Sequence, residues 1–104
     1  MATRIRIRDT DDGGKEIVAL MEHPMHTGTQ KDKDTRKLIP AHFIQRVVLE
    51  LNGRVVAEVF TGAAVSADPL LSFRIGNAKN GDKVKLTWWD NRQQTESTEK
   101  TVES

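Results

Sequence analysis

An all-β sandwich is the fold this sequence predicts, and three observations predict it. Apolar and polar residues alternate with the period of two that marks a half-buried strand. Turn-forming residues interrupt these runs at short intervals. No window places apolar residues at i, i+3, i+4 and i+7 between helix caps. A chain of 104 residues suits one domain, spanning 1–104, with a single modest core.

The elements follow in order. Thr3, Ile5 and Ile7 alternate with Arg4, Arg6 and Arg8, giving a first strand that ends at the turn Asp11-Asp12-Gly13-Gly14. Glu16 to Met21 forms the second. Phe43 to Leu51 and Arg54 to Phe60 are joined by Asn52-Gly53, a dipeptide suited to the positive φ values of a type I′ hairpin turn. Leu70 to Ile75 follows Asp68-Pro69, and Asn80-Gly81-Asp82 turns the chain into Val84 to Trp89. Thr95 to Val102 reads as a last, exposed strand. About seven antiparallel strands in about 100 residues predict an immunoglobulin-like plan, here without the antibody disulfide, since the chain has no cysteine. The long connection from His23 to Pro40 carries no regular pattern. Connections of that length are commonly functional.

Composition narrows the chemistry. A net charge of +1 lacks the basic excess of a nucleic-acid binder. No apolar run approaches the roughly 20 residues of a membrane-spanning helix. Without cysteine there is no thiol chemistry or thiolate metal site in this sequence. Ser66 and Ser72 lack a Gly-x-Ser-x-Gly setting, and no catalytic residue is expected. His23, His26 and His42 offer nitrogen ligands for a stand-alone metal-binding or redox sandwich. Their spacing follows no metal motif, and solvated or backbone-bonded loop histidines are the expectation. The Arg4, Arg6 and Arg8 stripe reads as charge guarding an edge strand against pairing. Lys31, Lys33, Arg36 and Lys37 are partly cancelled by Asp32 and Asp34.

Several strands are apolar on both parities, as if covered on two faces: Ile17 to Met21, Val47-Val48-Leu49, Val55-Val56, Val59-Phe60 and Trp88-Trp89. A sandwich of this length has no helices to supply the second cover. Val18, Leu20, Val48, Val56, Phe60 and Trp89 are therefore expected to meet a protein partner. Trp88 shares parity with Val84 and Leu86 and is expected inside; Trp89 is expected outside.

One ordered set of residues is distinctive. His23-Pro24-Met25, Thr27-Gly28, Lys31-Asp32 and Ile39-Pro40-Ala41-His42-Phe43-Ile44 come first. Asn52-Gly53, Gly62, Val65-Ser66, Pro69-Leu70, Phe73, Gly81-Asp82 and Thr87-Trp88-x-Asp90 follow. Over roughly residues 15 to 92 this set resembles the SoxZ family of sulfur-oxidation proteins. The resemblance implies a non-catalytic, cofactor-free subunit that pairs with a SoxY-type subunit. By the same resemblance, a cysteine on the partner's Gly-rich C-terminal arm is expected to carry thiosulfate-derived sulfur. It further implies transient docking to Sox enzymes, and a periplasmic site reached by export with the signal-bearing partner. The opening Met1-Ala2-Thr3-Arg4 fits that route, having no apolar signal region. A similar carrier serving another periplasmic oxidation would share these features. His23, Met25, Thr27, Gly28, Lys31, Asp32 and His42 are expected to form a recognition loop.

Overall fold

The computed structural model describes residues 3–26, 28–29, 31–62, 67–76 and 78–103. Its strands are β1 (Thr3–Asp9), β2 (Lys15–Met21), β3 (Ile44–Leu51), β4 (Arg54–Phe60), β5 (Leu70–Ile75), β6 (Lys83–Asp90) and β7 (Thr95–Thr101). They form two sheets, β1-β2-β5 and β4-β3-β6-β7, antiparallel at every pairing. No helix among the described residues is long and apolar enough to cross a membrane.

The division into three and four strands follows from one turn. Asn52 and Gly53 both take positive φ, 52° and 82°, the geometry that returns a strand directly onto its neighbour. β4 therefore stays beside β3. In antibody constant domains the fourth strand instead joins the sheet of the first two.

Register decides which parity meets inside. Val47 lies opposite Trp88, Leu49 opposite Leu86, and Leu51 opposite Val84. In the facing sheet Ile5 pairs with Ala19 and Ile7 with Ile17, and Ile17 in turn pairs with Phe73. Ile17, Leu49, Leu86 and Val84 are sealed from solvent, each contributing about 1.5–3 kcal/mol of burial. Trp88 is inside at 2% exposure, and its indole N–H donates to the Thr3 hydroxyl of the opposite sheet at 3.0 Å. The last strand stops one residue earlier than expected. Val102 leaves the ladder and tucks into the core, held by its N–H on the Asp82 carbonyl at 2.8 Å.

Val48 corrects the expectation of a wet outer valine, being only 5% exposed. Its outer-face neighbours are Glu58 on β4 and Thr87 on β6. Arg46 reaches over this row, pairing with Glu58 and stacking 4.8 Å above the Trp89 ring. Val48, on a strand flanked by β4 and β6, has its second cover within the chain.

The connection from His23 to Pro40 is less irregular than its sequence suggests. His26 and His42 exchange two backbone hydrogen bonds, 2.7 and 2.9 Å, and Lys31 bridges to Leu38. Asp32 closes the tip, its carboxylate accepting the Asp34 and Thr35 N–H groups. Gly28 has φ of 88°, and a side chain there would crowd the Ala41 methyl at 3.3 Å. The excursion is a folded-back ribbon rooted at both ends.

The two adjacent tryptophans separate core from surface. Trp88→Ala is expected to lower unfolding free energy by about 3–5 kcal/mol in urea titrations. Trp89→Ala, which removes a half-buried ring and its stack with Arg46, is expected to cost less, about 1 kcal/mol.

Candidate functional site

The most concentrated polar chemistry lies beneath the root of this ribbon, where β2 ends, β3 begins and β6 ends. His23 follows β2 and is clamped by Asp68. The Asp68 carboxylate accepts the His23 N–H at 3.0 Å, and the Asp68 N–H donates to the His23 carbonyl at 2.9 Å. The His23 ring is fully buried, edge-on to Trp88 at 5.3 Å and to His42 at 4.4 Å.

Its protonation follows from its contacts. Nδ1 accepts the Met25 N–H at 3.1 Å, so the ring proton sits on Nε2. That N–H donates to Asp90 Oδ2 at 3.1 Å. Met25 holds this position with φ of 50° and a buried thioether whose Sδ accepts the Ile44 N–H at 3.2 Å. His42 Nε2 lies 2.7 Å from the same Asp90 oxygen and 3.1 Å from Gln94 Oε1, and with acceptors on both sides it too is a donor.

Asp90 is the centre. Oδ2 accepts from both histidines, while Oδ1 accepts the Arg92 and Gln94 N–H groups, each at 2.9 Å. Burial pushes its carboxyl upward, but the four donors outweigh burial and hold it below the usual 3.8. Burial holds the His23 imidazole below its usual 6.5, against the opposing pull of the Asp90 hydrogen bond.

Potential ligand atoms of His23, His42 and Asp90 all lie within 4.8 Å of one another. The direction of the bonds nevertheless opposes metal ligation as arranged. A metal at His23 Nε2 would move the proton to Nδ1, against the Met25 N–H that Nδ1 now accepts. His26, the third histidine of the metal reading, meets His42 through its backbone and is not part of the cluster. A deeply buried His–Asp–His set whose carboxylate is hydrogen-bonded on both oxygens acts as a clasp. It ties the ribbon to the sandwich.

The structure places the other candidate residues in separate regions. Thr27 lies outside the described residues. Gly28 supports the ribbon's close approach to Ala41, Lys31 is exposed, and Asp32 shapes the tip. Val18 and Leu20 are half-buried on the outer face of β1-β2-β5. Phe60 and Trp89 flank Arg46 on the outer face of the other sheet. Val56, 42% exposed, lines a cleft of about 470 Å³ between β4 and β5 with Leu49, Phe73 and Ile75. The six apolar residues therefore do not share one surface. Asp90 and Gln94 are the residues that histidine counting missed. The available signal was a carboxylate directly after the apolar run that ends at Trp89.

Comparison with protein families matches residues 5–101 to the family described as Sulphur oxidation protein SoxZ. The matched span includes every strand residue but two at the start of β1, and all members of the clasp. Comparison with curated proteins finds no match.

The clasp makes stability depend on pH in a definite direction. His23 binds a proton less readily when folded than when unfolded, so stability is complete above about 6.5 and declines as pH falls below it. Asp90, also lowered on folding, adds a second decline below about 3.8. Thermal melts across this range check both. Asp90→Asn keeps an acceptor for the turn but sets an amide N–H₂ against the histidine donors, an expected loss of about 3 kcal/mol in denaturant titration.

Proposed function

The chain belongs to the SoxZ family of sulfur-oxidation proteins, and we propose that it is the non-catalytic subunit of a periplasmic SoxYZ-type sulfur carrier. In this reading a SoxY-type partner supplies the cysteine on which thiosulfate-derived sulfur travels, and the pair is exported together. The present chain holds that partner and helps offer its arm to the enzymes of the pathway.

One observation carries the pairing role. Phe60 is 73% exposed at the outer edge of β4-β3-β6-β7, beside Arg46 and Trp89 in the same cross-strand row. Val55, also exposed, lies further along β4. A large ring left in water next to a stacked Arg–Trp pair has the composition of an interface centre, where aromatic and arginine anchors dominate binding. The reading is also consistent with the residues available. The sequence has no thiol on which sulfur could travel, and the buried histidines present almost no side-chain surface, 0% for His23 and 7% for His42.

The clasp has a part in this reading. It fixes both roots of the ribbon on the rigid sandwich, so that the ribbon can meet a docking enzyme without being ordered at that moment, which saves binding free energy.

Binding measurements on the purified pair test the proposal. Phe60→Ser and Trp89→Ala are each expected to weaken pairing with the SoxY-type subunit by about 30-fold, the equivalent of about 2 kcal/mol. Unchanged affinity in both would place the interface elsewhere. Replacing residues 29–37 by a short Gly/Ser linker is expected to preserve pairing and slow thiosulfate turnover in a reconstituted system; unchanged turnover would reduce the ribbon to a spacer.

A further inference from the structure

The arginine stripe of β1 does more than guard an edge. Arg4, Arg6 and Arg8 lie on the outer face of β1-β2-β5, in register with Leu20, Val18 and Glu16 of β2. The next strand places Leu70 beside Leu20. The three arginines, Val18, Leu20, Leu70 and Lys100 line a depression of about 580 Å³. Its apolar floor includes Val18 and Leu20, with Leu70 standing 63% exposed at the side.

The charges around it are unevenly matched. Glu16 pairs with Arg8, and Glu22 lies 3.6 Å from Arg4. Among the described residues no carboxylate pairs with Arg6, which sits at the middle of the stripe. Four cations thus border the depression against two carboxylates, on a chain whose total charge is only +1. An apolar centre within a charged border is the anatomy of a protein–protein contact. Edge protection alone requires charge, but not a floor of leucine and valine.

The edge itself is already blocked. Lys100 Nζ donates to the Ile5 carbonyl at 3.0 Å, occupying an acceptor on the open side of β1 and opposing the addition of another strand there. An occupant must therefore lie over the face and offer side chains. Alternate residues of a strand are about 6.8 Å apart, so the three guanidiniums repeat at the spacing of carboxylates placed at every second position of an extended segment. Guanidinium forks match carboxylates bidentately.

We infer that this depression is a docking surface for an acidic protein segment in extended form, with carboxylates toward Arg4, Arg6 and Arg8 and an apolar side chain over Val18, Leu20 and Leu70. It lies on the opposite side of the sandwich from Phe60 and Trp89. The inference does not depend on what covers that other face.

The test is an NMR titration of the ¹⁵N-labelled full chain with a capped pentapeptide alternating glutamate and leucine. Amide shifts are expected on β1, β2 and β5, and the binding midpoint is expected to rise about tenfold in Arg6→Glu and also at raised salt. Leu20→Ser is expected to weaken binding with the salt dependence retained; both variants are checked by thermal melting. Shifts confined to residues 31–37, or no shifts, would leave the stripe as edge protection and overturn the inference. So would an unchanged midpoint in folded Arg6→Glu. A DNA duplex or phosphatidylglycerol vesicles binding the same face more tightly than the peptide would overturn the assignment to a protein partner.

Discussion

Much of this structure depends on one buried carboxylate. Asp90 accepts four hydrogen bonds, two from histidines and two from the turn that follows it. An isolated carboxylate in such a place would be prohibitively costly. Satisfied on both oxygens, it instead dictates geometry around it. His23 must keep its proton on Nε2, Met25 must accept a left-handed backbone to reach Nδ1, and the β6–β7 turn must close over Oδ1. The ribbon leaves and re-enters the sandwich at points set by these demands.

The strands were legible in the sequence because their physics is local. Alternation gave β1 and β6 their inward faces, and the parity of Val84, Leu86 and Trp88 placed each tryptophan on its observed side. Asn52-Gly53 contained the hairpin in two residues. The clasp was not legible as a cluster, because its members are separated by as many as 67 positions and periodicity carries no information about such meetings. The residues themselves were in view: His23, His42 and Asp90 all lie in the segments that carry the SoxZ resemblance. Val48 shows a different difficulty. Whether an outer-face valine is wet depends on the side chains of the strands to either side, here Glu58 and Thr87, which parity within one strand cannot express.

The sandwich has two outer faces of different character. One presents an exposed phenylalanine beside an arginine stacked on tryptophan, the other an apolar depression within a border of cations. Between them the core is conventional and the polar cluster is closed to solvent. What the described residues open to solvent is these two faces and the rooted ribbon, the features on which the proposed recognition role rests. That balance suits a member of a family of sulfur-oxidation proteins whose proposed part is to hold and to present.

The long sequence separations of the clasp also bear on the timing of folding. A two-residue hairpin such as β3–β4 closes within about microseconds. His42 and His23, by contrast, meet Asp90 only after 48 and 67 residues of chain have been brought round, and each such closure costs chain entropy before the contact rewards it. Interactions absent from a folding transition state act chiefly on the rate of unfolding. A buried carboxylate that takes hold after the sheets dock is in that sense a latch on the native state, lengthening the lifetime of the folded chain.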